Sequence, residues 1–154
     1  MGSVNQGLFS SATGEWSTPQ DLFDELDAEF HFDLDPCATV ENAKCAKFYT
    51  KKDDGLNQRW HGSVFVNPPY GRQIAHWVQK SAGEGASGST VVMLIPARTD
   101  TRWWHDYIWN TDEQRPRDGV TVRFLRGRMK FGGYDCGAPF PSAVVVFRPV
   151  VIVE

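Results

Sequence analysis

The chain has no apolar run that reads as a membrane span, although 41% of its 154 residues are hydrophobic. Cysteine is scarce. Cys37, Cys45 and Cys136 cannot all pair within one chain, and no CxxC pair occurs, which argues against a disulfide framework or a paired-thiol metal site. No secretory signal is apparent, so a reducing cytoplasm is the expected compartment. His31, His61, His76 and His105 have no spacing that sets two on one helix face, and no metal site is expected. A basic surplus is also missing. With 16 Lys and Arg against 19 Asp and Glu the net charge is −3, which by itself leans away from a phosphate-rich partner. No internal repeat is visible.

What is present changes that first reading. Ten Phe, six Trp and four Tyr supply much of a core for one domain of this size, and they argue against a disordered chain. The charge is unevenly spread: residues 1–90 carry 7 Lys and Arg against 12 Asp and Glu, net −5, whereas residues 91–154 carry 9 against 7, net +2. Within 115–130 lie Arg115, Arg117, Arg123, Arg126, Arg128 and Lys130, opposed only by Asp118. An acidic half and a basic stretch can serve different ligands, the basic stretch being the expected nucleic-acid face.

Residues 1–15 read as a flexible Gly/Ser-rich leader and 16–154 as a single domain. Thr18-Pro19 looks like an N-cap with proline in the first turn, and Leu22, Phe23, Leu26 and Phe30 recur at helical spacing, giving a helix over about 19–29. HFDLD reads as a strand ending in acidic groups, ENAKCAKFYT as a short helix or loop, and DDGLNQRW as a turn before a packing Trp. SVFV is an apolar strand stopped by Pro68-Pro69. A helix follows with Ile74, Trp77 and Val78 at compatible spacing. TVVMLIP is a continuous apolar run of the kind buried on both faces of a parallel sheet. Residues 101–109 read as a helix, and VTVRFL and SAVVVFRPVVIV as two further strands around the loop RGRMKFGGYDCGAPFP. The pattern is that of an α/β sandwich with mixed sheet edges.

The chemistry is concentrated in Asn67-Pro68-Pro69-Tyr70, at the end of an apolar strand, where open α/β sheets bind ligands. A side-chain amide oxygen and the Pro68 carbonyl can both accept hydrogen bonds from a planar amino group, favouring a pyramidal nitrogen whose lone pair attacks an electrophile. The prolines stiffen the backbone that presents the carbonyl. Tyr70 is expected to offer a flat face for a base. The simpler alternative is a proline turn with a capping Asn.

WSTPQDLFDEL, FDLDPCATVENAKC, FYTKKDDGLNQRW, VFVNPPYG, VVMLIPARTDTRWWHD, FLRGRMKF and PFPSAVVVF, in that order, resemble the phage and prophage DNA N6-adenine methyltransferases, often called phage Dam-like. The resemblance covers nearly all of residues 16–148. It implies a compact Rossmann-like, S-adenosylmethionine-dependent methyltransferase fold with a shortened cofactor region, acting in the host cytoplasm if phage-encoded. It also implies methyl transfer from S-adenosylmethionine to N6 of a flipped adenine in DNA, with Asn67, Pro68, Pro69 and Tyr70 in the catalytic motif. Thr18 and Pro19 resemble the segment meeting the methionine part of the cofactor, and Asp54 the acidic residue meeting its adenine. Asp35 suits the ribose hydroxyls.

The departure from the family is the absence of an FxGxG or comparable glycine-rich loop after the first strand. DPCA either replaces it, with Ala38 where a glycine would sit and Cys37 lining the cofactor, or corresponds to the acidic end of the next strand, with the loop deleted. Pro36-Cys37 also matches the nucleophile of cytosine-C5 methyltransferases, but precedes the catalytic strand and lacks that family's surroundings.

On the DNA side, Arg98, Thr99 and Asp100 are expected at the same sheet edge as Asn67, lining the target pocket. Arg126, Arg128 and Lys130 suit phosphates, and Phe131 is expected to stack on a base or plug the gap left by flipping. A chain of this length has no evident separate recognition domain, so a short or relaxed site preference is expected, in a monomer or weak dimer. Whether the modification serves protection from restriction is open. Two other readings remain at this stage: a non-catalytic DNA-binding relative, and a protein glutamine N5-methyltransferase, since the motif also suits an amide nitrogen.

Overall fold

The structure is a computed structural model describing residues 17–131 and 137–151. The leader over 1–15, the boundary at Trp16, and Cys136 lie outside the described residues.

Helix α1 spans Gln20–Phe30 and buries Phe23, Leu26 and Phe30, the apolar stripe that the spacing predicts. It ends at His31, which adopts a left-handed conformation with its N–H donated to the Asp27 carbonyl. The N-terminus departs from expectation. Pro19 is the N-cap residue and no side chain caps the helix, so the Thr18 hydroxyl serves elsewhere.

The strands are β1 (Leu34–Asp35), β2 (Lys47–Phe48), β3 (Ser63–Val66), β4 (Thr90–Pro96), β5 (Trp109–Asn110), β6 (Arg115–Pro116), β7 (Val120–Phe124) and β8 (Ser142–Phe147). Helix α2 spans Ile74–Ala86, α3 spans Arg102–Tyr107, and a 3-10 turn covers Gly55–Asn57. The central sheet has six strands in the order β2-β1-β3-β4-β8-β7. Strands β2, β1, β3 and β4 are mutually parallel, and β8 lies antiparallel between β4 and β7, which therefore runs with β4. The sequence reading missed β2, placed in a helix-or-loop segment, and the β5–β6 hairpin, which takes Trp109 out of the expected helix.

Register and alternation set the layers. Phe65, Val92 and Val146 share one sheet face, and Val64, Val91 and Phe147 the other. Phe23 of α1 meets Phe65 edge-on at 5.2 Å between ring centroids, so α1 covers the first face. Gly85 of α2 lies against Phe147, and a Cβ there would sit 2.6 Å from the Phe147 Cβ, so α2 covers the second. Buried from Val91 to Pro96, β4 runs through the middle as its unbroken apolar sequence requires.

The chain leaves β1 toward β2 on one side, then returns to place β3 on the other. The crevice at the carboxyl ends of β1 and β3 is therefore the switch point where open α/β sheets bind ligands. The carboxyl ends of β3, β4 and β7 and the amino end of β8 share that edge, because Val66 pairs with Met93, Pro96 with Ser142 and Phe124 with Ala143.

Candidate active site

A cavity of about 710 Å³ opens at the switch point. From the end of β1 it takes Asp35, Pro36, Cys37 and Ala38; from the end of β3, Asn67, Pro68 and Pro69; and Thr18 enters from the segment before α1. Asp54, Gly55 and Trp77 form part of the remaining walls. Residues from separate sequence blocks thus converge on one space of the size small-molecule sites have. Pro19, expected beside Thr18 in the cofactor site, is not among the lining residues.

Asn67 follows directly on the buried run Val64–Val66, so its position is set by a buried strand end. Its Nδ2 donates to Thr18 Oγ1 at 2.9 Å, which turns Oδ1 away from Thr18. Tyr70 is 6% exposed and its hydroxyl donates to the Leu94 carbonyl at 3.0 Å, tying the motif to β4. Burial pushes the Tyr70 phenol well above its ordinary pKa, so it stays protonated as that donor. Its ring meets Phe140 edge-on at 5.4 Å and Phe131 at 6.2 Å. The expected stacking face of Tyr70 is therefore covered by core aromatics. The expectation for Phe131 is corrected in the same way: at 1% exposed it packs inward with Tyr70 and Phe140 and is not a projecting wedge.

Asp35 is 4% exposed and braces the loop that follows it, accepting from the backbone N–H groups of Lys44 at 3.0 Å and Cys37 at 3.4 Å. Burial raises its pKa to about 6 from 3.8, against the lowering effect of those hydrogen bonds. A carboxyl whose folded pKa is raised favours the fold when protonated. Its contribution is fullest below pH 4 and is lost as pH rises through about 6, on the order of 3 kcal/mol in all. Asp35→Asn should accordingly gain stability relative to the unaltered chain between pH 4 and pH 7, read as a widening difference in denaturant midpoints. A constant difference would show that Asp35 is not buried as a charge.

DPCA ends β1 at the switch point, the place where open α/β sheets bind ligands. The loop is not a cradle of spare amides, since the Ala38 N–H donates to the Tyr49 carbonyl and the Cys37 N–H to Asp35. The close backbone approach is made by Gly55 instead, where a Cβ would sit 2.1 Å from the Pro36 carbonyl oxygen. Its own carbonyl accepts from Trp60 Nε1 at 2.9 Å. Sequence reasoning found only a turn here; the Asp54-Gly55 pair is its sole local signal. Asp54 adopts a left-handed conformation at the start of the 3-10 turn and accepts from Asn57 Nδ2. Asp33 is spent on the fold, accepting from the Ser63 N–H at 2.9 Å.

Arg98, Thr99 and Asp100 are exposed immediately after β4, on the same edge as Asn67, but outside the cavity walls. Arg98 lies over the Phe140 ring at 5.8 Å, while the Thr99 carbonyl meets His105 Nε2 at 2.6 Å. Trp103 is partly buried against the core. Arg126, Arg128 and Lys130 are exposed in the loop leaving β7 at that edge. The idea of one basic face over 115–130 needs correction. Arg115 pairs with Glu113 and Asp118, and Arg123 makes a two-pronged pair with Glu29 of α1 at 2.7 and 2.5 Å. Arg117 donates to the His105 carbonyl and, with Asp118, sits beside Ala86, Phe147 and Arg148 at the opposite end of the sheet.

The fold and the site define a Rossmann-like methyltransferase: a mixed sheet, parallel from β2 through β4, with a switch-point cavity that has carboxylates at one end and an Asn-Pro-Pro-Tyr strand end at the other. The chain belongs to the DNA N-6-adenine-methyltransferase (Dam) family, whose model matches residues 8–149. It is 31% identical over 142 residues to the DNA N-6-adenine-methyltransferase of Haemophilus phage HP1, covering 87% of this chain and 78% of that protein. It is 34% identical over 102 residues to the protein of the same name from Escherichia phage T1, covering 64% of this chain but 42% of the relative. A match to the putative methyltransferase YfdM of Escherichia coli K12 is 38% identical over 64 residues, covering 36% of this chain and 70% of that protein. The family is described by its reaction, N6-adenine methylation of DNA. Among the described residues no helix is long and apolar enough to cross a membrane.

Proposed function

We propose that this chain methylates adenine N6 in DNA using S-adenosylmethionine, with donor and target meeting at Asn67. The observation that carries the reading is the single cavity that joins Asp35 and Asp54 to Asn67 and Pro68. The residues fit the cofactor: a buried carboxylate at a strand end suits ribose hydroxyls, and an exposed carboxylate on a glycine-backed turn suits an adenine amino group. Cys37, Ala38 and Trp77 add apolar wall.

When bound, S-adenosylmethionine supplies an electrophilic methyl group on a sulfonium. Asn67 Oδ1 and the Pro68 carbonyl accept the two N6 hydrogens and draw the amino group toward a pyramidal shape. Asp35 and Asp54 hold the cofactor as its methyl group passes to the N6 lone pair and it leaves as the neutral thioether, with the extra N6 proton passing to solvent. Tyr70 holds the motif to β4 through its hydroxyl. Arg98, Thr99 and Asp100 border the entry of the flipped base, and Arg126, Arg128 and Lys130 hold phosphates beside it. The reaction takes place in the cytoplasm, where the cofactor and DNA are both present.

The test is calorimetric titration with S-adenosylmethionine, followed by tritiated methyl transfer to duplex DNA and digestion to nucleosides. Saturable binding and label in N6-methyladenine are expected. Binding without label in DNA would reduce the protein to a cofactor-binding relative, and no binding would overturn the reading.

A further inference from the structure

We propose that Thr18 is a positioning residue for Asn67, so that the segment preceding α1 sets the catalytic amide; this rests on the methyl-transfer reading above. Thr18 is 6% exposed and its Oγ1 accepts from Asn67 Nδ2 at 2.9 Å across 49 residues of sequence. The hydroxyl has no capping duty, because α1 starts with Pro19 as an uncapped N-cap and Phe23 N–H donating to the Pro19 carbonyl. Proline fixes its own φ, at −58° here, and restricts the residue before it, so Thr18 projects from a stiff base.

The two partners are also clamped together through packing. Phe23, one turn into α1, meets Phe65, two residues before Asn67 on the same strand. The edge-on contact at 5.2 Å holds the helix start and the strand end in register. A planar amide turns about its last side-chain bond through a broad, shallow range unless something holds it. With Nδ2 held by Thr18, the amide plane is set and Oδ1 keeps one direction. The consequence is catalytic: a misdirected acceptor lowers the rate of transfer without weakening the carboxylates that hold the cofactor.

Thr18→Val keeps the shape and removes the acceptor, while Thr18→Ser keeps the acceptor. Each full-length variant is compared with the unaltered chain by calorimetric S-adenosylmethionine affinity, single-turnover methylation of an adenine-containing duplex, and hydrogen exchange of the Asn67 side-chain amide, assigned by its loss in Asn67→Ala. For Thr18→Val we expect single-turnover transfer at saturating S-adenosylmethionine slower by about 10- to 100-fold, and faster Asn67 amide exchange. Thr18→Ser should return transfer to within about threefold. Transfer at the unaltered rate in Thr18→Val at saturating cofactor, or slowed transfer with unchanged Asn67 amide exchange, overturns the proposal. If the unaltered chain transfers no methyl group, the functional reading fails, and amide exchange decides the positioning role alone: faster exchange in Thr18→Val supports it and unchanged exchange overturns it.

Discussion

Asn67→Ala should lower methyl transfer by about 10²- to 10³-fold while leaving S-adenosylmethionine affinity within a few-fold of the unaltered chain. The substitution removes the acceptor that acts on the amino group as charge develops on it, an interaction realised in the transition state. Such preorganised groups are worth about 3–4 kcal/mol each. The Pro68 carbonyl remains, which is why residual transfer is expected. The cost to the fold is small: the hydrogen bond to Thr18 contributes on the order of 1 kcal/mol, and Val64–Val66 still hold β3 in the sheet. Single-turnover kinetics beside calorimetry separate these effects. Undiminished transfer would sink the proposed chemistry, whereas collapse of cofactor binding together with the melting temperature would make Asn67 a structural residue.

Gly55→Ala is expected to cost both stability and cofactor binding. A Cβ at this position would stand 2.1 Å from the Pro36 oxygen, and the obstructing atom is backbone at the end of β1, with no side-chain rotation to relieve it. The two cavity-lining loops must then part, disturbing the Trp60 hydrogen bond to the Gly55 carbonyl and the wall formed by Asp54. Overpacking of this kind costs about 2–3 kcal/mol, which for a domain of this size lowers the melting temperature by about 5–10 °C. Cofactor affinity should drop at least about tenfold, because the walls move with the loops. Gly83→Ala is the matched control. Gly83 lies inside α2 with nothing within 4 Å of its added Cβ, so alanine there should stabilise by up to about 1 kcal/mol and leave binding alone. Equal melting temperatures for Gly55→Ala and the unaltered chain would show that the loops are not held together at this point.

The elements with a strong period of their own were legible in the sequence. The stripe of α1, the unbroken run of β4 and the stop imposed by Pro68 follow from local rules, and each is found within a residue or so of where those rules put it. So was the gathering of Asp35, Cys37, Ala38 and Asp54 with Asn67, though only through resemblance to a family. The two-residue strand β2 and the β5–β6 hairpin were not, because segments this short have no period to read. The charge arithmetic was correct as a sum and misleading as a surface. Arg115 is matched by Glu113 and Asp118 nearby in sequence and Arg123 by Glu29 on α1, leaving the three cations after β7 at the site edge.

The sequence by itself determined the class of protein: an α/β domain with an Asn-Pro-Pro-Tyr motif at a strand end and an ordered set of family blocks. Only the tertiary structure decided what each side chain does there. Thr18 looks like a helix cap by local rules and instead holds Asn67; Tyr70 and Phe131 look like stacking surfaces and instead fill the core. The physical reason is one of range. Periodicity and turn chemistry report the burial of an element's own face, whereas a hydrogen-bond partner 49 residues away exists only once the chain has crossed the switch point and set α1 against β3.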